Sequence, residues 1–140
     1  MVKEIILRGH KVSNGKSTGE ALVSQFPISF FGGVNPETGL IVEKEHELKG
    51  SSISGKVLVF PTGKGSTAGS YQLYELTISK KAPSAIINIK ADPVVAAGAI
   101  ISGIPMVDRL DQHPIEVIQT GDLVEVDADQ GVVRVKSKSG

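Results

Sequence analysis

The apolar positions of this chain come in short runs separated by glycine, proline and polar residues. Such runs predict strands more often than long helices. Ile5-Ile6-Leu7 with Val12, and then Ala21-Leu22-Val23, predict two short strands. The polar, glycine-punctuated residues 13–19 predict the turn or hairpin loop between them. Residues 30–39 carry too many breakers for a regular element and predict a loop, after which Leu40-Ile41-Val42 resumes a strand. Residues 43–49 are charged and predict exposed surface. Val57-Leu58-Val59-Phe60 is continuously apolar, as a strand covered on both faces should be, and Pro61 stops it. Ser66 or Thr67 is placed to cap a helix running to about Lys80, with Lys80 and Lys81 suiting its last turn and Pro83 following as a stop. Ala85-Ile86-Ile87-Asn88-Ile89 predicts the next buried strand. Asp92-Pro93 predicts a cap and first position for a helix over 94–102, apolar nearly all round and therefore expected to be buried. Gly103 ends it, Ile104-Pro105-Met106-Val107 predicts a short strand, and residues 123–127 and 132–135 alternate as a hairpin around 128–131.

The pattern is α/β of the β/β/α kind: a central βαβαβ segment with parallel strands and right-handed crossovers, flanked by β strands and hairpins. No repeat, low-complexity tract or linker interrupts it, so residues 1–140 are expected to form one domain. Apolar residues make up 40% and charged residues 21%, which places the chain among globular proteins. Fifteen Lys plus Arg balance fifteen Asp plus Glu, so no overall field draws it to nucleic acid or an anionic membrane. It has no cysteine, which excludes disulfides and any thiolate ligand for zinc or an iron–sulfur cluster from this chain. Met1-Val2-Lys3-Glu4-Ile5 sets acid beside base without a long apolar run, and a cytoplasmic location is expected.

The strand–loop–helix passage through Gly63, Lys64, Gly65, Ser66 and Thr67 is the richest in chemistry. Glycines admit a ligand close to the backbone, helix N-terminal amides favour an anion, and Lys64 adds positive charge. A strained turn with a capping serine is the bland alternative. A P-loop would need glycine where Leu58 stands and Ser or Thr where Gly65 stands, so that motif fails. Gly63-x-Gly65-x-x-Ala68 meets a relaxed dinucleotide fingerprint, but no acidic residue ends the second strand, and Asp92 is better explained as a cap. The loop of Gly32, Gly33 and Asn35 is a second candidate to close on a ligand, with a plain surface connection as its alternative. His10, His46 and His113 lie far apart and predict no metal site. The Asp108-Arg109 segment reads as a solvated connection with a local ion pair.

Four blocks then carry a family resemblance: Gly32-Gly33-x-Asn35-Pro36-x-Thr38-Gly39; residues 55–70 around Gly63-Lys64-Gly65-Ser66-Thr67; Ile104-Pro105-Met106-Val107-Asp108-Arg109-Leu110; and Thr120-Gly121-Asp122-x-Val124-x-Val126-Asp127. Together, and in this order, they resemble the swivel-domain family of aconitase X. That resemblance implies a swivelling domain similar to the mobile domain of aconitase, present as a separate small subunit that closes over the active site of a large one. The implied reaction is dehydration of a small phosphorylated hydroxy acid, (R)-5-phosphomevalonate, to trans-anhydromevalonate 5-phosphate. An iron–sulfur cluster is implied on the large subunit, and none on this chain. Ser66 falls on the family position described as the proton acceptor, with Gly63, Lys64, Gly65, Thr67, Gly32, Gly33 and Asn35 expected around the substrate. Two other readings stay open. One is a different aconitase X substrate such as cis-3-hydroxyproline. The other is a swivel fold acting only as an interaction module; a phosphohistidine role is closed because residues 63–66 contain no histidine.

Overall fold

A computed structural model describes residues 4–137; the start of the N-terminal segment read above for targeting, residues 1–3, lies outside them. The strands are β1 (Glu4–Arg8), β2 (His10–Ser13), β3 (Lys16–Val23), β4 (Val57–Phe60), β5 (Ala85–Asn88), β6 (Met106–Asp108), β7 (Leu123–Asp127) and β8 (Val132–Lys136). The helices are α1 (Gly69–Ile78), α2 (Pro93–Ser102) and the short α3 (Pro114–Val117).

The strand order is β1-β8-β7-β3-β4-β5-β6-β2. Its two ends are one bent strand, because only Gly9 separates β1 from β2. Gly9 donates its N–H to the Gly131 carbonyl at 2.8 Å. A Cβ there would lie 2.5 Å from the Asp108 carbonyl oxygen, so the bend needs a residue without a side chain. At the opposite corner β3 changes partners: residues 16–20 pair antiparallel with β7, and residues 21–23 pair parallel with β4. The sheet thus folds back on itself into two layers. The β4–β5 and β5–β6 pairs are parallel, as expected for strands joined through helices.

Period-two alternation sorts the core. Val57, Val59, Ala85, Ile87 and Val107 point inward with Leu7, Val124, Val126, Val133 and Val135 from the other layer. Leu58, Phe60, Ile86 and Met106 point the opposite way and pack with Leu73, Leu76, Val95 and Ala99 of the two long helices. That arrangement explains why β4 and β5 are buried at every position, Asn88 included, while β7 alternates. The α1–α2 contact is close because a Cβ on Gly98 would already sit 3.0 Å from Leu73 Cδ2.

Several expectations are corrected. Residues 16–19 are strand rather than loop. Their polar side chains are incidental to the backbone ladder with β7, and Gly19 is needed because a Cβ would come within 2.8 Å of the Gly55 carbonyl. Leu40-Ile41-Val42 forms no continuous strand, pairing only singly from Ile41 to Val34 and from Leu40 to Ser52. Neither Ser66 nor Thr67 caps α1: Ala68 holds that position without a side-chain cap bond. Lys80 and Lys81 lie beyond the last helical residue, Ile78. There Lys80 takes the left-handed turn at φ 61° and Lys81 donates to the Leu76 carbonyl at 2.8 Å. Helix α2 begins as expected, with Asp92 accepting from Val95 N–H at 3.2 Å, but it is not buried all round. Its Ile100 and Ile101 face outward, since a helix lying on a sheet covers one side only.

Candidate active site

The parallel strands β3, β4, β5 and β6 end at one edge, and loops gather there. In α/β sheets that carboxyl edge is where ligands are bound. Past Pro61, the loop leading to α1 is fastened to the segment after β3: Ile28 N–H donates to the Thr62 carbonyl at 3.3 Å, and Lys64 N–H donates to the Ile28 carbonyl at 3.1 Å. Gly63 is packed rather than open, because a Cβ would meet Asp92 Oδ1 at 2.4 Å and Val95 Cγ2 at 2.5 Å. Its role is to let the loop cross the start of α2. Gly65 turns the chain at φ +94°, a conformation that favours glycine, and a side chain there would also press on Ser29 Oγ.

Ser66 and Thr67 follow, both exposed. The Ser66 hydroxyl oxygen accepts from Ala68 N–H at 3.1 Å, and the Ser66 carbonyl accepts from Gly69 N–H at 3.0 Å. Among the described residues no acceptor takes up the backbone N–H groups of Gly65, Ser66 or Thr67. Three consecutive exposed donors beside Lys64 suit an anion or a developing negative charge.

The second glycine loop comes to the same place. A Cβ on Gly33 would lie 2.1 Å from the Ser29 carbonyl oxygen, so the loop can fold this tightly only with glycine there. The Gly33 carbonyl accepts from Val42 N–H at 2.9 Å and from Glu43 N–H at 3.2 Å, which draws residues 42–43 alongside. Glu43 then reaches Lys64, with Oε2 to Nζ at 2.7 Å. An open depression is lined by Ser29, Phe31, Gly32, Gly33, Glu43, Lys64 and Gly65. It adjoins a second one, which shares Glu43 and Lys64 and adds Phe26, Pro27 and His46.

Of the residues expected at the site, Gly32, Gly33, Lys64 and Gly65 line one depression. Ser66 and Thr67 follow Gly65 on the exposed strand-to-helix loop, and Gly63 supports that loop from beneath. Asn35 is not among the lining residues. Its Oδ1 accepts from Glu37 N–H at 2.8 Å and Thr38 N–H at 3.3 Å, closing the turn of its own loop. Sequence reasoning missed Glu43 and Ser29. Glu43 opens a run of charges that resembles plain surface, and only the fold brings it across to Lys64.

The run also hides a buried residue. His46 Nδ1 accepts from Leu48 N–H at 3.0 Å, and its Nε2 faces the Ser24 hydroxyl oxygen at 3.4 Å. Glu47 contacts Ser24 at 3.1 Å and also accepts from Gln25 N–H. A serine, a histidine and a glutamate meet here without forming a relay, because the carboxylate does not touch the ring. The cluster anchors residues 43–49 to the end of β3, where Ser24 N–H donates to the Val59 carbonyl at 2.8 Å. At the end of β6, Asp108 accepts from Ala91 N–H at 2.8 Å and stands 3.8 Å from Arg109 Nε, the local pair expected there. Asp108 is, however, a buried strand residue rather than part of a solvated connection, because its carboxylate is taken up by the Ala91 amide. No group of three or more His, Cys, Asp or Glu placed to hold a metal occurs among the described residues. No helix among them is long and apolar enough to cross a membrane.

Two layers of sheet, the two long helices on one outer face and glycine loops at the carboxyl edge define a swivel domain, and the comparisons agree. Residues 6–135 match the family described as the aconitase X swivel domain, and the chain belongs to that family. A phosphomevalonate dehydratase small subunit from Methanocella arvoryzae is 56% identical over 129 residues, covering 92% of this chain and 98% of the relative. One from Methanosarcina acetivorans is 51% identical over 136 residues, covering 97% and 94%. The crystal structure of Thermococcus kodakaraensis aconitase X in its holo-form superposes with a TM-score of 0.89 at 52% identity, covering 94% of this chain and 98% of that one.

Proposed function

We infer that this chain is the small subunit of a phosphomevalonate dehydratase, a hydro-lyase in the mevalonate route to isoprenoids, and that it works as a single swivel domain closing over a larger subunit. The carrying observation is a half-site. Two glycine loops meet at an open depression with Lys64, and the unused amides of Gly65, Ser66 and Thr67 run on from it, yet among the described residues no metal-ligating cluster stands beside Ser66. Such a site must be completed from outside, and relatives at 51–56% identity over most of their length bear the name of a small subunit.

In this reading Ser66 takes the proton from the carbon beside the substrate carboxylate as hydroxide leaves the neighbouring carbon. A serine hydroxyl is a poor base, so it must act as an alkoxide or pass its proton onward, and either role needs focused positive charge. Here the amides of Gly65, Ser66 and Thr67 and the Lys64 ammonium supply part of it. Closure against the large subunit excludes water and strengthens each of these interactions. An iron–sulfur cluster does not fit this chain, which has no cysteine. We place it on the large subunit.

Mixing the purified chain with its large partner and assaying loss of water from (R)-5-phosphomevalonate tests the assignment. Turnover is expected from the pair and from neither chain alone. Activity from this chain by itself, or a pair that dehydrates cis-3-hydroxyproline and leaves phosphomevalonate untouched, would overturn it.

A further inference from the structure

The positive charge that the glycine loop brings to the depression is already spoken for. Lys64 Nζ stands 2.7 Å from Glu43 Oε2, the lysine side chain 47% exposed and the glutamate 25% exposed. The two partners are held differently. Glu43 sits on a fixed base: its N–H donates to the Gly33 carbonyl at 3.2 Å and its carbonyl accepts from His46 N–H at 3.2 Å. His46 is itself buried and bonded to Leu48 N–H and Ser24. Lys64 has a backbone bond to Ile28, but its ammonium ends a flexible four-carbon stem with freely turning donors.

A carboxylate facing the cation of an anion site opposes binding, because the ligand must either accept a like charge nearby or take the cation away from it. Exchange is cheap here, since an ion pair this exposed contributes little to stability. We propose that Glu43 is a placeholder: it occupies Lys64 in the resting chain and yields the ammonium to an anionic group of the substrate when the domain closes. Phosphate and carboxylate oxygens both meet the requirement, as both accept charge-assisted hydrogen bonds from an ammonium. Glu43 therefore sets the affinity of the half-site without taking part in proton transfer. The placeholder also keeps the open half-site from holding stray anions before closure. This proposal rests on the depression being the substrate half-site, and its test separates the two.

The test is titration calorimetry of the assembled complex with inorganic phosphate and, separately, acetate. Glu43→Gln is expected to tighten phosphate, acetate or both by about fivefold, the factor that corresponds to releasing an exposed ion pair. Glu43→Ser should act in the same direction, which guards against a peculiarity of the amide. Lys64→Met should weaken binding, and in that background Glu43→Gln should change affinity less than about twofold, because the placeholder acts through the lysine. Unchanged or weaker anion binding in Glu43→Gln, with Lys64→Met still losing affinity, overturns the placeholder and leaves the half-site standing. If Lys64→Met has no effect on either anion, both fall.

Discussion

The β7–β8 hairpin and the carboxyl ends of β4 and β5 draw on similar residues but finish them differently. In the hairpin, Val124, Val126, Val133 and Val135 face inward, and the turn closes on itself: Asp127 accepts from Gln130 N–H at 3.2 Å, and Gly131 N–H donates to the Ala128 carbonyl at 3.0 Å. At the other end of the molecule, β4 runs from four buried residues straight into a loop whose Gly65, Ser66 and Thr67 amides have no acceptor among the described residues. A buried strand can afford an unfinished end only at the surface, where water or a ligand satisfies it. The hairpin is therefore scaffold, and the unfinished edge is where we propose that function belongs.

Breaking the scaffold should give the largest effect on stability. Leu73→Ala empties a fully buried position between α1 and α2, where Gly98 leaves the helices in close contact, and should cost about 2–5 kcal/mol in chemical denaturation. Gly33→Ala sharpens the comparison because it strikes the edge. Its Cβ would collide with the Ser29 carbonyl, so the loop must shift, and dehydratase activity of the assembled complex should fall more than tenfold for about 1–3 kcal/mol of stability. Gly65→Ala meets the left-handed turn and Ser29 Oγ together; it should cost about 1–2 kcal/mol and reduce turnover beyond what the lost fold accounts for. At the small end, Arg134→Ala removes cross-strand pairs to Glu125 at 3.6 Å and Glu4 at 3.9 Å on an exposed face. The melt should change by less than about 0.5 kcal/mol and the assembled activity not at all. A strong activity loss in Arg134→Ala would break the division between scaffold and edge.

Much of the scaffold was legible in the sequence because period-two alternation and breakers report burial directly. Val57 to Phe60, Ala85 to Asn88, the Asp92 cap and the terminal hairpin all fall where the pattern puts them. The strand at residues 16–20 was not legible, since backbone pairing to β7 does not depend on apolar side chains. At the edge, local spacing marked Gly63–Thr67 and Gly32–Gly33, yet it could not show that Lys64 would be paired. The Glu43–Lys64 and Ser24–His46 contacts join positions more than twenty residues apart, and their geometry exists only after folding. Asn35 shows the converse, a polar residue in a promising loop that turns out to hold its own turn together.

Ser66 decides whether the unfinished edge carries chemistry. It is not the cap of α1, and among the described residues its hydroxyl bonds only to Ala68 N–H, on the exposed side, so Ser66→Ala should move the melting free energy by less than about 1 kcal/mol. Steady-state kinetics of the assembled complex should then show kcat falling by at least about a hundredfold with KM nearly unchanged, while Thr67→Ala stays within a few-fold of the parent. An assembled Ser66→Ala complex that keeps its kcat would contradict the account.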